Sequence, residues 1–274
     1  MTLRRALTRR NSLRRACLHL SAAAPLCLGL LLSPRAAEAK SPIAHKSPKV
    51  TSAIPGLKMP NMGNQIFYHV MLNQLEDRTD GSHHEFRWDG EGWIGTSMNK
   101  FWIKSEGMVR NGVVSDGDQE FLYDRPIPRM RYFDAQLGIR EDLDSGPSRT
   151  WAAIGMEGLA PYFFEFAPTL YIGRRGAVAG RIDAAYDLLF TQRLIARPQA
   201  EFNFYSQNDP ARGVGSGLSE IDTGIRLRYE FSRKFAPYVG LAYDGKYGDT
   251  ATYARQAGES TGDPRFVFGI RAWY

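Results

Sequence analysis

His69 and Met71 stand two residues apart in the run FYHVMLN (67–73). Imidazole and thioether groups are donors to borderline and soft transition-metal ions. Residues i and i+2 of an extended segment share a face, so the two side chains would point the same way if this run is a strand. A histidine hydrogen-bonded to a neighbouring carboxylate is an equally ordinary use of His69. Met59 and Met62, at Met-x-x-Met spacing, make a second thioether pair, with two methionines in a polar tail as the plain alternative. His83 and His84 adjoin in a polar stretch, where they either meet metal at the surface or are simply solvated. Asp89 and Glu91, again two apart, would add hard oxygen ligands or pair with arginines. For catalysis the chain offers less. His69 is the one histidine expected inside a strand, and no serine or acid is spaced to form a nucleophile–base–acid set with it. The reading is therefore of a protein that is not an enzyme.

What holds these side chains is legible in the rest of the sequence. The chain has 274 residues and a formal charge of +6, and its opening residues account for that excess. Arg4, Arg5, Arg9, Arg10, Arg14 and Arg15 precede a mostly apolar stretch, 16–32, and Ala37-Glu38-Ala39 has the small-x-small form of a cleavage site. Residues 1–39 are predicted to be a secretory signal peptide. They carry seven of the 35 Lys and Arg and one of the 29 Asp and Glu, so the remainder is balanced and has no electrostatic motive for nucleic-acid binding. Cys17 and Cys27 both lie in the signal, which excludes a disulfide or a zinc-thiolate site from the chain after residue 39. Residues 40–63, rich in Pro, Ser and Lys, read as a disordered arm.

From residue 64 to 274 the chain reads as strands and turns. Phe133, Ala135, Leu137 and Ile139 alternate with Asp134, Gln136, Gly138 and Arg140. Ile221, Thr223, Ile225, Leu227 and Tyr229 alternate with Glu220, Asp222, Arg226 and Arg228, and Phe266, Phe268, Ile270, Ala272 and Tyr274 with Arg265, Val267, Arg271 and Trp273. Charge on every second residue over so many positions suits a membrane barrel, apolar outside and polar inside. A soluble sandwich or lipocalin-like fold would need its charge-free face inward. Connections are expected to alternate. Short ones fall at 96–99, 126–129, 160–162, 189–191 and 232–234, and longer ones at 76–85, 108–117, 141–148, 173–177, 206–217 and 245–263. The predicted fold is an all-β, transmembrane, antiparallel up-and-down β-barrel of about 12 strands, with the last strand closing against the first. Its expected lining sets Arg181, Arg193, Arg197, Arg226 and Arg228 against Asp89, Glu91, Asp183, Asp187, Glu201 and Asp222.

Six runs carry a resemblance: NQIFYHV (64–70), WDGEGWIG (88–95), PSRTWAAIG (147–155), YDLLFTQRLI (186–195), DPARGVGSGLS (209–219) and the terminal RAWY (271–274). On these motifs the sequence resembles the copper resistance protein B family from about residue 64 to its end. The resemblance implies an outer-membrane barrel of a copper-resistance system that binds copper or mediates its passage. It also implies work beside a periplasmic multicopper oxidase and copper-binding proteins. Copper would then be bound or transported cargo, and His69, Met71, Met59 and Met62 the candidate ligands. The family's Met- and His-rich leading stretch is reduced here to His45, Met59 and Met62. An outer-membrane channel or structural barrel without metal specificity is the alternative, and a barrel-borne hydrolase a further one.

Overall fold

A computed structural model describes residues 65–110, 112–143 and 148–274. The expected signal peptide and arm, with Met59 and Met62, lie outside the described residues. The strands are β1 (Phe67–Thr79), β2 (His84–Gly95), β3 (Lys100–Arg110), β4 (Val113–Pro126), β5 (Phe133–Asp142), β6 (Thr150–Ala160) and β7 (Phe164–Ile172). After these come β8 (Val178–Ala185), the stub β9 (Leu188–Leu189), β10 (Leu194–Tyr205), β11 (Gly217–Tyr229), β12 (Phe235–Lys246) and β13 (Gly262–Trp273).

Each long strand pairs antiparallel with the next, and β13 pairs with β1, so the sheet closes on itself. β8 and β9 lie on the same side of β10 and together form one interrupted stave, which makes a barrel of twelve staves. Closure pairs the first long strand with the last and so removes the open edges of the sheet, the condition for spanning a membrane with strands. At the seam, Val70 and Tyr274 exchange N–H···O bonds of 3.0 and 2.8 Å.

The period-two pattern sorts the faces as expected. Val70, Ile94, Leu137, Ile139, Ile154, Val239, Leu241, Phe266 and Phe268 are exposed on the outside, while Glu76, Arg78, Asp118, Asp222, Arg226 and Arg228 are buried within. This inside-out arrangement is that of a transmembrane barrel. One stretch of the inner wall is apolar instead, formed by Trp102, Leu122, Trp151, Ala153, Tyr171 and Ala179.

Two expectations change. Connections at the rim holding Tyr274, the near rim, are short, but those at the far rim are not uniformly long. β1 and β2 are joined by residues 80–83 and β3 and β4 by 111–112, because both hairpins continue as paired strand beyond the boundaries read from the sequence. The last far-rim connection holds a helix, α1 (Gly248–Ala257), ended by Gly258 at φ 79°. Its Thr250 hydroxyl is bonded by the Gly215 N–H and by Ser219, both at 2.7 Å, which ties the helix to the neighbouring loop.

Candidate functional site

The lumen is crossed by ion pairs in its far half. Arg78 Nη1 and Arg87 Nη1 both donate to Asp222 Oδ2, at 2.8 and 2.6 Å. Arg87 Nη2 reaches Glu201 at 3.2 Å, and Arg226 holds Glu76 by Nε and Nη2 at 2.9 and 2.8 Å. The Tyr238 hydroxyl donates to the same Glu76 at 2.8 Å. Its ring lies over Gly269, where an added Cβ would come within 2.6 Å of it, so the glycine makes room for this contact. From the opposite wall Arg181 reaches Glu106 and, at 2.8 Å, Asp118. Each guanidinium is taken out of bulk water, and its partners supply charge-assisted bonds in return.

Nearer the other rim the cross-links are Lys104 to Glu157 at 2.5 Å, Arg197 to Asp187 at 3.0 Å and Arg228 to Asp187 at 2.6 Å. Asp187 sits in the interruption between β8 and β9.

Between these layers lies a cavity of about 390 Å³. Three carboxylates that line it, Asp89, Glu91 and Asp183, form no ion pair among the described residues. The strand register explains why. Asp89 stands opposite Glu106 and Asp183 opposite Glu201, acid beside acid, while Arg87 and Arg181 spend their donors one step farther along. Glu91 stands opposite Lys104, whose ammonium is drawn across to Glu157, and its own partner is the Asn73 amide. The expectation that Asp89 and Glu91 pair with arginines is therefore corrected.

The structure separates His69 from Met71. Both face inward, but only Met71 lines the cavity, and its sulfur takes a donor from Arg271 Nη2 at 3.3 Å. His69 belongs to an aromatic cluster at the near rim, its ring 6.3 Å from Trp93 and 5.7 Å from Trp273, centroid to centroid. Trp93 continues to Trp102 at 6.2 Å, with Lys100 over the first indole and Lys104 over the second. Arg193, expected in the lining, lies in the turn 190–193 and is exposed.

At the far rim His83 and His84 are solvent-exposed, and each lies beside a carboxylate. Asp80 is 3.1 Å from His83 Nδ1, and Asp77 is 2.8 Å from His84 Nδ1. Backbone N–H groups of His83 and Ser82 bond Asp80 and hold its carboxyl well below the usual carboxylate range. Ser82 Oγ also meets His83, but at the same Nδ1 that faces Asp80. A relay of serine, histidine and acid needs the two ring nitrogens to serve different partners. This cluster caps a turn and does not activate a nucleophile.

Among the described residues, no three His, Cys, Asp or Glu side chains are grouped to hold a metal ion. What the lumen offers is a polar cavity with surplus carboxylates and one thioether at its wall.

A family model described as "Copper resistance protein B precursor (CopB)" matches residues 66–274. Copper resistance protein B of Escherichia coli is 36% identical over 249 residues, covering 89% of this chain and 82% of that one. The Copper resistance protein B homolog of Pseudomonas syringae pv. tomato (strain ATCC BAA-871 / DC3000) is 41% identical over 201 residues, covering 73% of this chain and 67% of that one. Among solved structures the NanC porin aligns with a TM-score of 0.47 at 13% identity, over 75% of this chain and 99% of that one.

Proposed function

The chain belongs to the copper resistance protein B family, and on that footing we propose that its barrel, set in the outer membrane, binds copper in the lumen and lets it pass. The observation that carries this reading is the layer of three unpaired carboxylates, Asp89, Glu91 and Asp183, around the cavity. Carboxylates without counter-ions lower the barrier for a cation in a low-dielectric tube. The ion pairs on either side supply none of that attraction, because their charges are already matched.

Met71 is the soft donor at the cavity wall, and it would exchange Arg271 for copper(I). His69, within its aromatic cluster, would meet the ion on the near-rim side of the cavity. Met59, Met62 and His45 would form a collecting arm ahead of the barrel. Copper is cargo in this reading and the barrel is not an enzyme. Its partners would be outer-membrane lipid, a periplasmic multicopper oxidase and periplasmic copper-binding proteins.

The test is copper uptake into liposomes holding the purified barrel. Replacing the three acids together, Asp89→Asn, Glu91→Gln and Asp183→Asn, should lower both flux and bound copper at least tenfold, with heat-modifiable folding retained. Undiminished flux and binding in that variant would remove the carboxylate layer from the mechanism.

A further inference from the structure

The same cavity is positively as well as negatively unsatisfied. Arg271 lines it and forms no ion pair among the described residues; its one polar contact is the Met71 sulfur. Arg226 and Arg228 line it too. Their side chains are 3% and 7% exposed, and their guanidinium groups are already held by Glu76 and Asp187, which leaves Arg271 as the cation at this wall without a carboxylate among the described residues. A guanidinium without a carboxylate partner inside a barrel is costly, and an anionic or carbonyl oxygen is what would satisfy Arg271. Asp89 and Glu91 stand on β2 and Asp183 on β8, while Arg271 stands on β13. The surplus of each sign therefore comes from different staves.

A bare cation suits only half of such a chamber. It would gain from the carboxylates and be repelled by Arg271, and no set of three protein ligands among the described residues replaces its water shell. Size points the same way. At about 10–15 Å³ of cavity volume per water, six waters take roughly 60–90 Å³, a small part of the cavity's 390 Å³. An ion carrying small organic ligands uses both the space and the two signs of charge.

Resting on the reading that this lumen takes copper, we infer that the species it accommodates is a copper(II) chelate of a small amino- or hydroxy-carboxylic acid. The metal centre and its amine or hydroxyl groups face Asp89, Glu91 and Asp183, and the chelator's carboxylate oxygens face Arg271. The chelate crosses as a neutral or nearly neutral unit, which spares the protein from stripping the ion's ligands inside the tube. No bond to the protein is needed beyond hydrogen bonds and outer-sphere charge contacts.

The experiment is equilibrium dialysis of the purified full-length barrel against radiolabelled glycine, with and without copper(II), and against copper(II) alone. Glycine should be retained only when copper is present. Arg271→Gln should lower that retention at least tenfold while leaving uptake of copper(II) alone unchanged or raised, and Arg271→Lys should restore part of it. Heat-modifiable mobility on gels checks that each variant is folded. Copper retained from the copper–glycine mixture with no glycine beside it, or glycine retention indifferent to Arg271→Gln, would overturn the inference and leave the copper reading standing. Failure to bind copper in either form would overturn both.

Discussion

Arg87 and Asp222 meet inside the barrel at 2.6 Å although β1, β13 and β12 stand between their strands. The bond is a strut across the lumen. Removing one end by Arg87→Ala should leave Asp222 to Arg78 and Glu201 to Arg181, and widen the passage. Single-barrel ionic conductance in planar bilayers should rise severalfold, with a stability loss below the roughly 3–5 kcal/mol of orphaning a buried charge, because each acid keeps one arginine. Arg87→Leu with Asp222→Leu should lose less stability than either single change. Conductance at the wild-type level in Arg87→Ala would show that the strut does not limit passage.

Met71 and His69 are separable by substitutions that keep their shapes. Met71→Leu retains the volume at the cavity wall and deletes the sulfur, so copper(I) binding should fall about tenfold while zinc binding stays level. His69→Phe retains the ring contacts to Trp93 and Trp273, and its loss should be the smaller of the two. Competition against a copper(I) chromophore measures both. A larger loss for His69→Phe would move the soft site out of the cavity and into the aromatic rim.

The seam depends on the last residue. Tyr274 makes both hydrogen bonds to Val70, stacks on Tyr68 at 6.4 Å and lies under the Lys234 ammonium at 4.3 Å. Deleting it should slow closure and cut the yield of heat-modifiable barrel several-fold, whereas Tyr274→Phe should keep most of it. Equal yields for deletion and wild type would mean that the rest of the β1–β13 ladder closes the barrel unaided.

Asp80 sets a pH window for the hairpin tip. Its carboxyl is held below the ordinary value of 3.8 by the N–H groups of His83 and Ser82. The carboxylate's contribution is therefore full above that value and is lost only as pH falls through the lowered one. Amide exchange at Ser82 and His83, corrected for the intrinsic pH dependence, should show constant protection from pH 7 down to about pH 5, and Asp80→Ala should abolish it throughout. Protection that already fades between pH 7 and 5 would implicate the histidines instead.

Much of the barrel was readable because a membrane barrel writes its faces plainly. Ile221 to Tyr229 and Phe266 to Trp273 alternate without interruption, and both fold with the expected side inward. β1 was readable only in its first half. Its pairing slips between Leu72 and Leu75, and after the slip the inward set changes from His69 and Met71 to Gln74, Glu76 and Arg78. A bulge of one residue reverses every later side chain, so a fixed period of two assigns Glu76 and Arg78 to a loop and misses the most buried ion pair in the lumen. Candidate ligands could be named by type, yet which carboxylates are unpaired depends on where long arginines reach, and Arg87 spends itself on Asp222 and Glu201 instead of on nearby Asp89. That choice is made across the barrel, between residues far apart in sequence. Helix α1 escaped for another reason: Thr250 to Ala257 includes good helix formers and is followed by Gly258, but its surroundings read as polar loop.

The struts also bear on how such a chain reaches its final state. Arg78 to Asp222, Arg226 to Glu76 and Arg87 to Glu201 each join the first two strands to β10 or β11, with sequence separations of 144, 150 and 114 residues. None of these pairs can form while the sheet is still open. A soluble protein gathers its core contact by contact, but here the interior charges stay separately hydrated until the two ends of the sheet approach. Their mutual attraction then arrives in one late step of long loop closure. The interior thus acts as a latch: it adds little to partly assembled forms and much to the closed one, so that closure is all-or-none.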